Sequence, residues 1–381
     1  MPLVRIIHTS DVHLGAPLGW LGHRAADQRE ALKGAWSATV DRALSERADC
    51  LIVAGDLFDS NNPPASTVRF VLKELDRLAS ASETETVILP GSHDFLSLGS
   101  VYTSYEREFK RIPRTTVLGL DGRSSVILRR SGMAVHGNPP RSNRSAERQF
   151  ARLRPTPDCR WNVAIGHGSV DIVPAAPDDH PIAVEELSSL EWSYVALGHW
   201  HSWCEIEGTT ALAVYPGAPE VVAADQTCPG SVALVVLDEA GAHASRIAVG
   251  VRSVLEASVD VTGALDADDV AERVRRAAPP DRDGILRLDL HGLLGLESRF
   301  DESELFETLS PDYFHVTQRR QFHVRGTDSE LSDLPERLVI GRFARVMQER
   351  LASVATDAER GEVEEALKLG VALLQGKDVL A

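Results

Sequence analysis

The sequence contains little cysteine and no long apolar run. Its 381 residues include four cysteines, at positions 50, 159, 204 and 228. Thiols this few and this scattered exclude a disulfide framework and a zinc site built from Cys-X-X-Cys pairs. No stretch approaches the roughly 18 uninterrupted apolar residues of a membrane span, and Asp11 comes too early for the apolar segment of a signal peptide. We therefore expect a cytoplasmic protein that does not bind a membrane.

Positive charge is also scarce, but it is unevenly distributed. The formal net charge is −16, which taken alone argues against a polyanionic partner. Residues 106–160 nevertheless hold thirteen Arg and Lys against five Asp and Glu, so this segment carries +8 and the rest of the chain −24. The asymmetry allows a local phosphate-binding face or an ordinary solvated arginine-rich surface. Charge alone leaves both interpretations open.

The first ninety residues alternate between strand-like and helical patterns. Apolar runs at 3–7, 50–54 and 87–89 each end in a polar turn, and stripes of apolar residues at helical spacing lie between them. This order predicts the β-α-β-α-β opening of a layered α/β domain, whose site lies at the carboxyl ends of the strands. From about residue 115 the strand-like runs follow one another closely, which predicts a second, sheet-rich half.

The length favours two to three domains. We place a catalytic domain at residues 1–250 and a small α+β capping or substrate-recognition lobe at 251–325. We expect the strands of this lobe to pair mainly antiparallel. A helical C-terminal region follows at 333–381, where apolar residues form two stripes at helical spacing. These stripes either dock on a partner or close the core of this chain.

Five polar clusters stand at the ends of predicted strands. Because the strands of a layered sheet deliver such residues to one edge, we expect the clusters to converge. In chain order the clusters are Asp11 and His13; Asp56 and Asp59 in GDLFD; Ser92, His93 and Asp94 in GSHD; His167 in GHG; and His199 and His201 in GHWH.

The composition of these clusters predicts a pair of metal ions. Residues two apart share a face in extended backbone. We therefore expect the side chains of Asp11 and His13 to bind cations together, and those of His199 and His201 to do the same. The set has more carboxylate and imidazole ligands than one tetrahedral ion needs. It suits two divalent ions about 3.5–4 Å apart that share a carboxylate, for which Asp56 is the best candidate.

Two such ions suit the hydrolysis of a phosphodiester. A bound cation lowers the pKa of water from about 15.7 toward about 7, so that a hydroxide bridging the ions can attack in line without a strong protein base. His93 is the candidate general acid or donor to the phosphoryl oxygens, and we expect Asp94 to orient its imidazole. Any one of these motifs alone is more often structural, so the prediction rests on the five together.

The motif order DxH, GDxxD, GxHD, GH and GHxH resembles that of the calcineurin-like metallophosphoesterases. HTSDVHLG at 8–15, GDLFD at 55–59 and YPGAPE at 215–220 resemble the SbcD-type DNA repair exonucleases within that family. The resemblance covers about residues 1–240. It implies a four-layer αββα sandwich, two Mn²⁺-type ions, nuclease action on DNA ends and an SbcC-type ATPase partner. It leaves open a homodimer.

The resemblance also assigns the ligands. It implies that Asp11, His13, Asp56 and His201 hold one ion, that Asp56, Ser92, His167 and His199 hold the other, and that His93 is the acid or transition-state stabiliser. The family usually has Asn where this chain has Ser92. Because a hydroxyl is a shorter and weaker neutral ligand, we expect looser binding of the second ion.

Three functions remain open on the sequence. The first is a two-metal DNA repair exonuclease or endonuclease of SbcD type. The second is a phosphoesterase acting on a small molecule or a phosphoprotein. The third is a weakly active binding subunit of an ATPase complex, in which Ser92 marks weakened chemistry.

Overall fold

The computed structural model divides the chain into two compact units, Met1–Val254 and Leu255–Ala381. It describes residues 3–171, 179–188, 191–227, 229–294, 298–324 and 338–354, together with 359, 363, 366–367, 370–371 and 373–374. The division falls four residues after the predicted end of the catalytic domain at 250. The predicted boundaries at 325 and 333 lie outside the described residues. The capping role of residues 251–325 and the docking role of residues 333–381 stay predictions.

Within its described residues, the first unit contains two mixed six-stranded sheets. The first sheet has the order β12-β11-β1-β2-β3-β4. Strands β1 to β4 pair in parallel, and β11 and β12 continue the sheet antiparallel. The strands are β1 (Val4–Thr9), β2 (Cys50–Ala54), β3 (Glu85–Leu89), β4 (Thr115–Val117), β11 (Ser231–Asp238) and β12 (Gly241–Ala248).

The second sheet has the order β5-β6-β7-β8-β10-β9. Its central strands β6, β7, β8 and β10 pair in parallel, and the edge strands β5 and β9 pair antiparallel. The strands are β5 (Ser125–Leu128), β6 (Met133–His136), β7 (Trp161–His167), β8 (Tyr194–Gly198), β9 (Cys204–Glu205) and β10 (Ala213–Tyr215).

The two sheets pack face to face around one apolar core. Side chains such as Ile52 and Val87 of the first sheet share this core with Val163 and Ala196 of the second. Strand β2 is buried along its whole length, which explains why its sequence is a continuous apolar run rather than an alternating one. The first unit also contains a short 3-10 helix (Gly19–Arg24) and helices α1 (Ala25–Ser45), α2 (Ala65–Ala81), α3 (Val101–Ser104), α4 (Glu106–Arg111) and α5 (Val184–Ser188).

Helices cover the outer faces and complete the layers. Helix α1 packs against β1 and α2, burying Trp36 and Val40. Helix α2 starts directly after Pro64 and buries Val71 and Leu75 on the apolar stripe expected of a surface helix. On the second sheet, Leu187 of α5 joins a separate apolar cluster. The predicted α/β sandwich is therefore confirmed.

The second unit has a core of its own. Its strands are β13 (Ser253–Asp260), β14 (Asp281–Leu294) and β15 (Tyr313–Val324), and its helices include α6 (Ala267–Ala277) and α7 (Glu302–Leu309). Leucines of β14 are buried against α6 and α7. Strands β14 and β15 pair in parallel over most of their length, so the expected antiparallel preference is wrong for this pair. Helix α7 lies in the connection between them, as parallel strands require a crossover.

Helix α8 (Val339–Ser353) begins the helical C-terminal part that the sequence predicted. Ala344 and Leu351 on this helix are buried in one cluster with Leu367 and Val371. The two predicted stripes thus pack on each other at these positions. Among the described residues, no helix is both long and apolar enough to cross a bilayer.

Candidate metal centre

The carboxyl ends of neighbouring strands bring the predicted ligands together. Asp11 follows β1 and Asp56 follows β2, while His167 is the last residue of β7. The loops after β1 and β2 are hydrogen-bonded side by side, because Asp11 N donates to Gly55 O (3.1 Å) and His13 N donates to Asp56 O (3.0 Å). Backbone pairing therefore continues beyond the strands and fixes both loops.

Most of these ligands do not have extended backbone. Asp11, His13, Asp56 and His199 have φ angles of 54°, 49°, 52° and 102°, in a region that non-glycine residues seldom adopt. The expectation that Asp11/His13 and His199/His201 share a face because they lie in extended strands is therefore wrong, since β1 and β8 end before them. Such backbone strain concentrates at functional sites.

Glycines at two motif positions let the chain approach the ligands. Gly55 has φ 91°, and a Cβ there would overlap the His167 imidazole. A Cβ on Gly91 would overlap the Asp56 carboxylate. These close approaches give a physical reason for glycine in GDLFD and GSHD.

In the part of the chain that the structure describes, three groups of side chains have the composition and spacing of metal-binding sites. In each group, possible ligand atoms lie within 4.8 Å of one another. Neighbouring groups share His13 or Asp56, so they form one continuous centre in which His199 and His201 belong to different groups. The groups are Asp11, His13 and His201; His13, Asp56 and His93; and Asp56, His167 and His199.

The distances fit ions placed between these side chains. The Nε2 atoms of His13 and His201 are 3.2 Å apart. Two nitrogens that each lie about 2.1 Å from one ion are about 3.0–3.4 Å apart at octahedral or tetrahedral angles. Asp56 Oδ2 lies 3.1 Å from His167 Nε2 and 3.8 Å from His13 Nε2, so this carboxylate is close to ligands of two groups.

The other ring nitrogens of three histidines are held by the protein. Such contacts fix the tautomer and leave one nitrogen of each ring for an ion. The contacts join His13 Nδ1 to Asp59 Oδ1 (3.1 Å), His167 Nδ1 to Ala54 O (2.9 Å) and His199 Nε2 to Asp179 Oδ2 (3.0 Å).

The electrostatics of the centre favour positive charge beside Asp56. Burial opposes ionisation of this carboxyl, but His167 and His13 hold its pKa well below the ordinary value. In the same way, burial disfavours a charged His167 imidazole, yet Asp56 raises its pKa to about 9. The position between the two side chains therefore stabilises a proton or a metal cation.

Ser92 lies at the group that contains Asp56, His167 and His199. It is buried, and its hydroxyl donates to Asp56 Oδ2 (3.2 Å) and lies 3.3 Å from His167 Nε2. The hydroxyl oxygen thus occupies the neighbourhood in which the resemblance implies a neutral ligand.

His93 and Asp94 have separate roles. The His93 backbone N–H donates to Asp56 Oδ1 (2.8 Å), and the exposed ring contacts Asp59 O through Nδ1 (3.0 Å). The Asp94 carboxylate is buried and accepts from Tyr102 and from the backbone of Gly91 and Phe58. The expectation that Asp94 orients the His93 imidazole is therefore wrong, because its oxygens instead tie the GDLFD and GSHD loops together.

Three further residues support the centre. Asp59 is the second Asp of the GDLFD motif, which marks it as a candidate. No pattern in the sequence pairs it with His13. Asp179, which holds His199, follows no motif. Gln149 is buried, and its side-chain amide bonds both the N–H and the C=O of His167. No pattern in the sequence distinguishes Gln149 from other polar residues.

Comparison with known proteins agrees with this geometry. The family described as calcineurin-like phosphoesterase matches residues 4–203. The chain therefore belongs to that family and is a metal-dependent hydrolase of phosphoesters. The family match lies wholly within the first unit.

Several curated bacterial and archaeal proteins are similar to the chain. It is 24% identical to the SbcD component of the nuclease SbcCD of Bacillus subtilis, over 98% of each chain. It is 26% identical to the uncharacterized metallophosphoesterase YhaO of the same organism, over 55% of this chain and 52% of that protein. It is 25% identical to the DNA double-strand break repair protein Mre11 of Sulfurisphaera tokodaii, over 58% of this chain and 55% of that protein. The chain thus spans about half the length of YhaO and of this Mre11.

Proposed function

We propose that the protein is a two-metal phosphodiesterase that cleaves DNA as a nuclease of SbcD type. The observation that carries the proposal is the position of the Asp56 carboxylate between two ligand groups, with Oδ2 3.1 Å from His167 Nε2 and 3.8 Å from His13 Nε2, as a pair of ions with a shared carboxylate requires. We assign one Mn²⁺ to Asp11, His13, Asp56 and His201 and a second to Asp56, Ser92, His167 and His199. When bound, the ions supply an acidified water and stabilise charge on the phosphoryl group.

The protein's own residues complete this chemistry. Asp59 and Asp179 orient the imidazoles of His13 and His199 through the contacts given above. Because the Asp59 carbonyl accepts from Nδ1 of His93, the imidazolium form of the ring carries its second proton on Nε2 and can give that proton to the leaving oxygen, which leaves the ring neutral. His93 is the exposed member of its group, which suits a residue that meets substrate. We assign it the role of general acid.

Two observations support DNA as the substrate. The relative that aligns over the full length is named as part of a nuclease, and residues 106–160 carry a local excess of positive charge on an acidic chain. Such a segment can contact phosphates while the acidic remainder limits nonspecific binding.

Digestion of labelled linear duplex DNA with Mn²⁺ tests the proposal. We expect strand loss with the natural protein, and its abolition by Asp56→Ala or His93→Ala. Asp41→Ala, which removes a carboxylate paired with Arg77 on the surface, serves as the matched control and should retain activity. Strand loss that persists in both site variants would come from a contaminant and would refute the assignment.

A phosphoesterase of small molecules or phosphoproteins would behave differently. Its hydrolysis of bis-p-nitrophenyl phosphate would not depend steeply on salt, and it would bind no DNA. The nuclease proposal predicts that DNA affinity falls steeply as salt rises. Affinity that is absent at low salt would favour the alternative.

Ser92 supports a second candidate, a weakly active binding subunit. The hydroxyl is already engaged with Asp56, and it is a weaker ligand than the amide oxygen that the resemblance implies. Turnover of Ser92→Asn distinguishes the two. A large gain would mean that the natural centre is impaired, and little change would mean that Ser92 is competent.

We further propose an SbcC-type ATPase as partner. The support is the name of the full-length relative, which is one component of the nuclease SbcCD. Co-purification of the full chain with the SbcC-type ATPase from the organism that encodes this chain tests the proposal. The ATPase alone serves as the background control. Recovery no greater than background would refute it.

A further inference from the structure

The first unit contains an open, arginine-lined cleft beside the candidate metal centre. The cleft has a volume of about 400 Å³, within the range of about 300–1,000 Å³ typical of ligand sites. Its lining includes Arg141, Arg148 and Arg152, and Glu147 is the one acidic residue among the described residues that line it. The cleft therefore has a net positive lining and room for a nucleotide-sized anion.

Two of the three arginines are available to a ligand. Arg141 and Arg152 are exposed, and neither forms an ion pair with a carboxylate among the described residues. Arg148 lies 3.6 Å from Glu186, a distance at which the guanidinium is held but only partly neutralised. Guanidinium groups bind phosphate oxygens through paired donors, which makes arginine the residue most suited to this role.

The wall of the cleft is continuous with the metal centre. Gln149 lines the cleft and bonds both backbone groups of His167. Asn143, between the cleft residues Arg141 and Ser145, donates to Ser92 O (3.3 Å). Gln149 therefore connects the lining of the cleft directly to the backbone of one candidate metal ligand.

We propose that this cleft binds the phosphate backbone of the DNA strand next to the phosphodiester held at the metal centre. Arg141 and Arg152 contact the flanking phosphates, and Arg148 supports them. Contacts of this kind fix the register of a strand without reading its sequence. The inference rests on the proposed nuclease function, but its test does not require cleavage.

The test measures binding of a fluorescein-labelled oligothymidine to the full chain in EDTA at several salt concentrations. Each phosphate contact to a single strand contributes about 0.7 to the slope of log affinity against log salt. The double variant Arg141→Ala/Arg152→Ala should therefore bind more weakly and lose about 1.4 from the magnitude of that slope. An unchanged unfolding temperature will show that the variant is folded.

The matched control is Arg107→Ala/Arg111→Ala. These arginines are exposed on α4, belong to the same basic segment and lie outside the cleft, so their removal changes the net charge equally. The proposal predicts that the control keeps the natural slope. Equal weakening by both double variants would mean that only overall charge matters and would overturn the proposal, as would a cleft variant that binds like the natural protein.

Failure of this inference can be distinguished from failure of the nuclease proposal. Strand loss with Mn²⁺ together with an unchanged slope in the cleft variant would overturn the cleft and leave the nuclease standing. A reduced slope in the cleft variant without any strand loss would support the cleft and overturn the nuclease.

Discussion

Asp59 shows how far a metal ligand depends on a residue that need not touch the ion. Its carboxylate holds His13 Nδ1 at 3.1 Å, and removing such a partner typically lowers metal affinity about 10- to 100-fold. We predict a loss of this size in Mn²⁺ affinity for Asp59→Asn, which keeps the side-chain volume but removes the charge. Titration calorimetry measures it, with Asp41→Asn on the surface as the control. Equal affinity of the natural protein and Asp59→Asn would show that Asp59 does not position His13.

His8 gives a prediction for stability against pH. It is buried with its Nδ1 2.8 Å from the Tyr194 hydroxyl, and burial lowers its pKa to about 3. Because the folded chain then binds fewer protons than the unfolded chain, stability falls as the pH drops from about 6.5 toward 3, by a few kcal/mol in total.

Urea unfolding across this pH range measures the effect. We expect the free energy of unfolding of His8→Gln to fall less steeply at acid pH than that of the natural protein. The exposed-site variant His23→Gln should lose stability as steeply as the natural protein. A loss of stability at acid pH that is as steep in His8→Gln as in the natural protein would mean that His8 is not the residue that titrates.

At the scale of single residues, the sequence indicated which residue types form the candidate metal centre but not which side chains contact one another. Asp56 and His167 could be named because each follows an apolar run, and the structure brings them within 3.1 Å. The partners of Asp94 could not be foreseen. They lie on segments distant in sequence, and adjacency to His93 in the chain suggested a contact that the folded loop does not make.

Among elements, strands were predictable and loop conformations were not. The run at 50–54 coincides with β2 and the run at 87–89 lies within β3, because a strand buried by its neighbours must be apolar. The left-handed backbone at Asp11 and Asp56 depends instead on hydrogen bonds between loops that are far apart in sequence. For the same reason the parallel pairing of β14 and β15 did not follow from local pattern.

Glu220 stabilises the loop that supports His201. Its buried carboxylate accepts from the backbone N–H groups of Val221, Val251 and Arg252. In the same loop, Ala218 N donates to His201 O (3.0 Å). We predict that Glu220→Gln lowers the free energy of unfolding by about 1–3 kcal/mol, because the new amide places a donor against backbone donors.

Chemical denaturation measures this loss, with the exposed Glu185→Gln as the control. A Glu220→Gln protein that is as stable as the control variant would show that the carboxylate does not hold the loop.

At the scale of the whole molecule, the family match and the candidate metal centre both lie in the first unit. The match covers residues 4–203 and the candidate centre lies in the first unit, so the chemistry can be argued from that unit. The second unit has an independent core outside the match. Its role in substrate recognition stays a prediction.

The central claim is that distant segments of the chain together hold two ions. Anomalous diffraction from crystals of the full chain grown with Mn²⁺ tests it most directly. The account predicts two peaks about 3.5–4 Å apart, with Asp56 contacting both and His201 and His167 each contacting one. A single peak, or peaks away from these side chains, would contradict the account.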